Sequence, residues 1–406
     1  MLSIQTLPTL LIQGLWGLVS VFAVEMVRDV YHLISHQWPP LMQLHNWHHR
    51  AYKKDFTPVS AELYQKAQLH NDVPESLAMM AAMAAVAMLT PLWGFWIGFV
   101  YATGFLGAAV LRSQGLLNAT DLTHEPGPLT QLPSRLWVNR TYHWRHHFDE
   151  TTAYYAGTFT VLDQLIGKAL SLKGKTVAVT GASGTMGRAL IHELARQGAK
   201  PIAVTHSGGV DIDGAVATLT WQVGHEAALR DRLQKVNILI LNHGINVHSD
   251  RTAEAVEASL QVNALSACRL MDVFFATVDK RTGVATKEIW VNTSEAEVNP
   301  AFSPLYETSK RLLGDLITLR RQDAPCVIRK LVLGPFRSSL NPVGVMSAPW
   351  VARAIVALAK RDIRNIIVTI NPLTYLLFPM KEMGQSLYFK LFSRAATAPS
   401  SLNRSH

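Results

Sequence analysis

A chain of 406 residues exceeds one ordinary domain, so two units are expected, and 49% hydrophobic against 17% charged residues excludes a disordered polar chain. Its two cysteines, Cys268 and Cys326, exclude a disulfide framework and favour a reducing compartment. The formal charge of +9 could suggest nucleic acid, but basic residues beside the apolar runs are read as a membrane-facing bias instead, and no nucleic-acid partner is expected.

The two halves differ in character, because the first 170 residues hold the long apolar runs and ten of the sixteen histidines. Leu7 to Val24 is uncharged and close to the roughly 20 residues that cross a bilayer core. Met1 to Pro8 carries no basic side chain, so a retained first pass is expected rather than a cleaved leader. The run leads through Glu25, Arg28 and Asp29 to His32 and His36. Leu44 to Arg50, Leu-His-Asn-Trp-His-His-Arg, adds His45, His48 and His49 and is followed by Lys53 and Lys54. His70 stands alone and reads as an ordinary solvated residue. Leu77 to Leu111 has no charge and is broken by Pro91-Leu-Trp-Gly94, which predicts a helical hairpin whose short first arm either crosses or re-enters. A hairpin returns the chain to the face it left, where His143, His146 and His147 meet the earlier histidines. Arg112, Arg135, Arg140 and Arg145 lie on that face, which the positive-inside tendency makes cytoplasmic. Asp121 to Pro133 reads as a loop and contains His124. Lys168 to Lys175 is the expected linker, giving a membrane unit at 1–168, a second domain at 169–371 and a tail at 372–406.

On a helix, positions i, i+3 and i+4 share a face, so His45, His48 and His49 project into one space, as do His143, His146 and His147. His32 and His36 form a third set. Eight imidazoles exceed the four ligands that close a structural zinc site and point to two metal ions. An all-nitrogen shell suits Fe, Zn, Cu or Ni without choosing among them.

At Thr176 the pattern changes to that of an α/β protein. A β-branched strand, Thr176 to Thr180, meets the turn Gly181-Ala-Ser-Gly184-Thr-Met-Gly187 and then a helix to Gln197. Glycines there let a backbone approach phosphate, and the helix N-terminus favours its charge. Further strands are expected at Pro201–Thr205, Asn237–Leu241, Glu288–Asn292, Val327–Val332 and Asn365–Thr369. Alternation with helices implies a doubly wound, mostly parallel sheet of Rossmann type. Tyr306 and Lys310 stand one helical turn apart, so the ammonium is expected to lower the phenol pKa and suit it to proton exchange. Ser294, at a strand end, can bond the same substrate oxygen. Pro372 to Phe392 is apolar and aromatic with few charges and is expected either to lie on the membrane or on the first domain or to be an ordinary terminal core helix.

Residues 172–369 resemble the short-chain dehydrogenase/reductase family through Thr180-Gly181-Ala-Ser-Gly184-Thr-Met-Gly187, Asn242-His-Gly244, Asn263, Ser294, Tyr306 and Lys310. The resemblance implies NAD(P) held by Thr180, Gly181, Ser183, Gly184, Gly187, Asn242 and Gly244. It makes Tyr306 the acid/base, has Lys310 fix the ribose and lower the tyrosine pKa, has Ser294 orient a carbonyl, and has Asn263 support a relay water. Thr185 stands at the usual middle glycine, His243 interrupts the usual Asn-Asn-Ala-Gly, and Leu333-Gly334-Pro335 replaces the usual Pro-Gly. Thr205-His206-Ser207 occupies the place of the acidic residue that binds ribose hydroxyls, so NADP is preferred over NAD.

Residues 10–168 resemble the fatty acid hydroxylase/sterol desaturase superfamily of membrane di-iron enzymes. The match is carried by His32-x-x-x-His36, His45-x-x-His48-His49, the apolar hairpin, His143-x-x-His146-His147, Tyr154-Tyr155-Ala-Gly157 and Leu162-Asp163. The resemblance implies two irons on these eight histidines, dioxygen chemistry on a lipid, and an external electron donor. Many members carry Asn-His after the hairpin, where this chain has Asn118-Ala119, and His124 is the candidate replacement. The expected function is a bifunctional oxidoreductase that hydroxylates or desaturates a lipid and then interconverts the alcohol and carbonyl. The alternatives are a reductase on a silent membrane anchor and a non-catalytic nucleotide sensor.

Overall fold

A computed structural model describes residues 6–117, 120, 122–279 and 282–394. The chain divides into two compact units, Met1–Leu170 and Ser171–His406.

The first unit is helical: α1 (Thr6–Ser35), α2 (Pro39–Arg50), α3 (Ala61–Ala67), α4 (Val73–Leu89), α5 (Phe95–Ser113), α6 (Arg140–Phe148) and α7 (Val161–Ile166). Three stretches are long and apolar enough to cross a membrane, Pro8–Ser35, Ala61–Leu89 and Phe95–Ser113. The first arm of the hairpin is therefore much longer than the uncharged run beginning at Leu77. Asn71, Asp72 and Glu75 keep its early turns polar, which hides the helix in the sequence, and a π turn over Gln68–Asp72 joins α3 to α4.

Val24 of α1 packs with Met79, Met83 and Ala102 of the hairpin, while Leu11, Leu15, Leu18, Leu89 and Val100 point outward. Such an arrangement, apolar on both faces, suits helices whose solvent is lipid. Small residues allow close contact: a Cβ on Gly98 would lie 2.9 Å from the Ser20 carbonyl oxygen, and Gly94 N donates to Gln13 Oε1 at 2.8 Å. Deeper along α1, Tyr101 Oη donates to Glu25 at 2.6 Å and Gly157 N donates to Asp29 at 2.8 Å. The second of these ties the loop after α6 to the helix that carries His32 and leads directly into His36.

The second unit is a seven-stranded parallel sheet in the order β3-β2-β1-β4-β5-β6-β7. Its strands are β1 (Thr176–Thr180), β2 (Lys200–Thr205), β3 (Ala217–Thr220), β4 (Ile238–Leu241), β5 (Glu288–Asn292), β6 (Val327–Leu333) and β7 (Asn365–Val368). The helices are α8 (Thr185–Arg196), α9 (Arg230–Gln234), α10 (Ala253–Leu260), α11 (Ser266–Phe275), α12 (Gly283–Thr286), α13 (Pro304–Arg320), α14 (Ala348–Ala359) and α15 (Pro372–Phe392). β4 and β6 are buried at every position, as central parallel strands covered on both faces must be. The expected doubly wound sheet is present with one strand more than the sequence suggested. β3 is only four residues, Ala-Thr-Leu-Thr, and lies largely exposed at the sheet edge.

Candidate metal centre and dinucleotide site

α1, α2 and α6 bring all eight predicted histidines together, but in two groups that cut across the sequence boxes. His32, His36, His45, His49 and His146 form one group, and His48, His124, His143 and His147 the other, each with its ligand nitrogens within 4.8 Å of one another. The division follows helix geometry. His45 and His49 are i and i+4 and serve the first group, while His48 is rotated about 100° from His49 and faces the second. His143 and His147 pair in the same way, leaving His146 for the first group. His124 therefore joins the set, with Nε2 at 3.0 Å from His143 Nε2 and 3.3 Å from His147 Nε2. Asn118 and Ala119, where the sequence departs from the family pattern, lie outside the described residues. His70 takes no part and stacks on Trp47.

Hydrogen bonds fix the tautomers of three rings. His32 Nδ1 donates to the Tyr155 carbonyl at 2.6 Å and His146 Nδ1 to the Ala153 carbonyl at 2.8 Å. His45 Nδ1 donates to Asn71 Oδ1 at 2.6 Å, and Asn71 is oriented by donating its own amide to Asp72 at 2.7 Å. A neutral imidazole that donates from Nδ1 presents a bare lone pair at Nε2. His32 Nε2 and His146 Nε2 nevertheless stand 2.9 Å apart, and His36 Nε2 lies 3.1 Å from His146 Nε2. Facing lone pairs repel unless a cation lies between them. Two nitrogens each about 2.1 Å from a shared cation at a right angle are about 3 Å apart, so the donor set fits a metal. The second group has the same spacing, 3.0 Å from His147 to His48 and 3.1 Å from His147 to His143.

Burial keeps these rings neutral and able to ligate. It lowers His36 to about 3 and His45 to about 4, and it pushes His48, His49, His146 and His147 well below the ordinary imidazole range. The supporting loop is itself held by Asp163, which accepts from Tyr142 Oη at 2.8 Å and from the backbone N–H groups of Tyr155 and Ala156 at 2.9 Å each. Burial raises Asp163 to about 6 despite those three donors. Asn71, Asp163 and the two carbonyls are functional groups that spacing arguments missed. Among them the Tyr-Tyr-Ala-Gly and Leu-Asp matches were the available signal.

In the second unit the glycine turn joins β1 to α8. Gly181 has φ of 62°, and a Cβ there would lie 2.8 Å from His243 Cα. At Gly187 a Cβ would fall 2.3 Å from the Gly181 carbonyl oxygen, so only glycine permits the turn. Ser183, Gly184 and Thr185 are exposed at the start of α8, leaving its first N–H groups open to an anion. The turn thus fits a pyrophosphate although Thr185 replaces a glycine. Thr180 Oγ1 accepts from Asn242 N at 2.9 Å, and Asn242 Oδ1 accepts from Asn292 Nδ2 at 2.8 Å. His243 bridges Thr180 Oγ1 and Ser266 Oγ, each at 2.7 Å, which accounts for its place in the interrupted Asn-His-Gly sequence.

Ser294, Tyr306 and Lys310 converge beyond β5. Ser294 hydrogen bonds to Tyr306, which favours the phenolate, and Lys310 Nζ donates to the Asn292 carbonyl at 3.0 Å while lying 5.8 Å from the Tyr306 ring centroid. Gly244 adjoins both Asn263 and Lys310. One expectation is corrected. Tyr306 is raised, because burial outweighs the Ser294 hydrogen bond. Asn263 donates its amide hydrogens to the Ile245 carbonyl and to Ser309 Oγ at 3.0 Å each and accepts from Ile245 N at 2.7 Å, so its side chain braces the chain after β4. Burial lowers Lys310 to about 8 against the pull of Glu297.

The fatty acid hydroxylase family pattern matches residues 17–168, and the short chain dehydrogenase pattern matches residues 175–325. The chain is 55% identical over 397 residues to a monoglucosyldiacylglycerol epimerase from Synechocystis sp., a match that covers 93% of this chain and 97% of that protein. Among solved structures, a short-chain dehydrogenase from Sphingobium yanoikuyae in complex with NADPH has 22% identity and a TM-score of 0.44, covering 55% of this chain and 98% of its own. One from Burkholderia cenocepacia J2315 in complex with NADP has 20% identity and a TM-score of 0.44, covering 55% of this chain and all of its own.

Proposed function

Because the chain belongs to the family of lipid-modifying oxidoreductases in which a fatty acid hydroxylase unit is fused to a short-chain dehydrogenase unit, we propose that it inverts a hydroxyl-bearing carbon in the sugar headgroup of a glycosyl diacylglycerol. The observation that carries this reading is the 55% identity, over 97% of its length, to an epimerase whose name states such a lipid. The residues beyond β5 are suited to it. Tyr306 Oη would take the proton of the sugar hydroxyl as the carbon is oxidised to a ketone, and would return it when the ketone is reduced from the opposite face. A dinucleotide whose pyrophosphate is held by the glycine turn would supply a nicotinamide as hydride acceptor and then donor, so the overall change would be redox-neutral. Ser294 Oγ would hold the substrate oxygen, and Lys310 Nζ would contribute positive charge beside the phenol. The exposed His206 and Ser207 after β2, in place of a carboxylate, favour NADP.

A second reading is favoured by the tautomer-fixed histidines. The nine rings would hold two irons, which supply dioxygen chemistry with electrons from an external donor, and the first unit would hydroxylate or desaturate a lipid before the dehydrogenase acts. Arg112, Arg135, Arg140 and Arg145 favour a cytoplasmic face for both units. Full-length protein in detergent, given monoglucosyldiacylglycerol and NADP, separates the readings. Epimerised glycolipid formed equally under argon and under ¹⁸O₂ is the expected result. Product carrying ¹⁸O, as hydroxylation would give, or an unsaturated lipid formed only when dioxygen is present, would favour the second reading. The Tyr306→Phe variant should lose about 10²- to 10⁴-fold in epimerisation while still binding NADP. Wild-type turnover in that variant would overturn the assignment of Tyr306.

A further inference from the structure

We propose that α15, together with the carboxyl edge of β5, β6 and β7, docks the dehydrogenase unit on the bilayer surface and holds its site at headgroup level. α15 reverses the usual pattern of a soluble amphipathic helix. Its polar face is turned inward: buried Glu382 accepts from Lys330 Nζ at 2.6 Å and from Arg321 at 2.9 Å, and Lys381 donates to Glu297 at 3.0 Å. Its apolar face is turned outward, with Leu373, Leu376, Met380, Met383, Leu387 and Leu391 all exposed at spacings of three and four. Water would penalise that stripe, whereas a lipid surface would cover it. The helix is 21 residues long but carries Lys381, Glu382 and Lys390, and it is not among the stretches apolar enough to cross a membrane. A helix of this kind lies in the interface.

Three further observations select a bilayer as the occupant. The same chain carries three candidate spanning helices, so a lipid surface is tethered to this unit at high effective concentration. The exposed Lys390 and Arg394 flank the end of the stripe, where anionic headgroups would meet them. All strands are parallel, so the loops leaving β5, β6 and β7 share one sheet edge, and each exposes a large apolar residue there: Phe302, Val343 and Ile370. Phe302 is 96% exposed with φ of 55° and lies four residues before Tyr306. At the other end, Glu295, next to Ser294, accepts from Thr369 Oγ1 at 2.6 Å and from Thr374 Oγ1 at 3.1 Å, which pins the start of α15 to the loop that bears the serine. The docking face and the proposed catalytic groups are thus one rigid edge.

The proposal rests on the lipid reading above for its purpose, but it is measured without turnover. Full-length protein with Cys268→Ser is placed in nanodiscs of phosphatidylcholine and phosphatidylglycerol with brominated acyl chains, and bimane is attached at Met383→Cys or, as a control, at Val216→Cys beside the far edge strand β3. Bromine should quench the Met383→Cys label at least twofold and leave the control unchanged. Quenching of both labels by aqueous iodide alone would overturn the proposal. So would a Met383→Cys label shielded from both quenchers, since that means a second copy or another protein covers the face. In activity, Met380→Glu combined with Met383→Glu should lower kcat/KM at least tenfold for glycolipid in vesicles, with turnover of a short-chain soluble analogue unchanged. Equal losses on both substrates would count against the docking role even where the lipid reading stands.

Discussion

Asn71→Leu offers the most direct test that the histidine rings are set for metal. Asn71 lies in the π turn before α4, and its Oδ1 is the acceptor that fixes the His45 tautomer at 2.6 Å. Leucine fills nearly the same volume but accepts nothing. His45 then either keeps its proton on Nδ1, leaving a buried donor unsatisfied at about 1–3 kcal/mol, or moves it to Nε2 and ceases to be a ligand. Divided by about 1.4 kcal/mol per factor of ten, the first course alone predicts roughly 5- to 150-fold weaker binding, in line with the 10- to 100-fold typical of supporting residues around metal ligands. The assay is competition with a chelator of known affinity on detergent-purified protein, read as iron per chain. Asn71→Asp, which keeps the acceptor, should retain the metal. Equal iron affinity in Asn71→Leu and the unaltered protein would refute the tautomer argument.

In the second unit, Gly187→Ala puts a Cβ 2.3 Å from a backbone oxygen in the turn. A strain of about 1–3 kcal/mol should weaken NADP at least fivefold by fluorescence titration with the fold intact by circular dichroism, and unchanged affinity would refute the turn's role. Lys310 titrates at about 8 against its ordinary 10.5. The lowered value means that the unfolded chain holds a proton the folded chain has lost between those pH values, so this group's contribution to stability rises with pH across the window. Activity should run the other way, falling as pH passes about 8 and the ammonium is discharged. Lys310→Arg, which stays charged, should lose that alkaline limb, and a flat wild-type profile from pH 7 to 10 would sink the assignment. Stripping metal with a chelator should lower the melting temperature of the helical unit and leave that of the dehydrogenase unit in place, read by calorimetry with and without NADP.

Short-range features of the fold were readable. The i, i+4 histidine pairs, the strand-turn-glycine sequence at β1 and the Tyr306–Lys310 turn are set by local geometry, and the structure brings each set together. What escaped the sequence depends on distant neighbours. His124 was singled out only through the family pattern, because it sits in a loop with no periodicity, and the fold is what brings it beside His143. Asn71 is 26 residues from the ring it orients. The length of the helix before α4 was hidden by polar residues that face partners rather than lipid. β3 is too short to show alternation. The sign of the Tyr306 shift was missed because spacing reveals a nearby cation and says nothing of burial, which here is the larger effect.

The acceptors that fix the rings come from outside the histidine boxes: Asn71 from the π turn, and the Ala153 and Tyr155 carbonyls from the loop after α6. That loop is in turn held by Asp163 and Asp29. Neutral rings buried with lone pairs converging at about 3 Å are unfavourable by themselves, both through desolvation and through mutual repulsion. A sequence under no demand for a cation would relax them by flipping a ring or exchanging a tautomer, and the three fixed hydrogen bonds oppose both. An inversion within the dehydrogenase unit needs no net electrons and hence no help from this centre. The costly organisation of the first unit therefore argues for work of its own, either a separate oxidation or a metal-dependent scaffold. Asn71→Leu discriminates between them: loss of iron with epimerisation intact would make the centre's chemistry independent of the inversion, whereas joint loss would tie the two together, through the fold if the dehydrogenase unit's melting also falls and through the centre's chemistry if it does not.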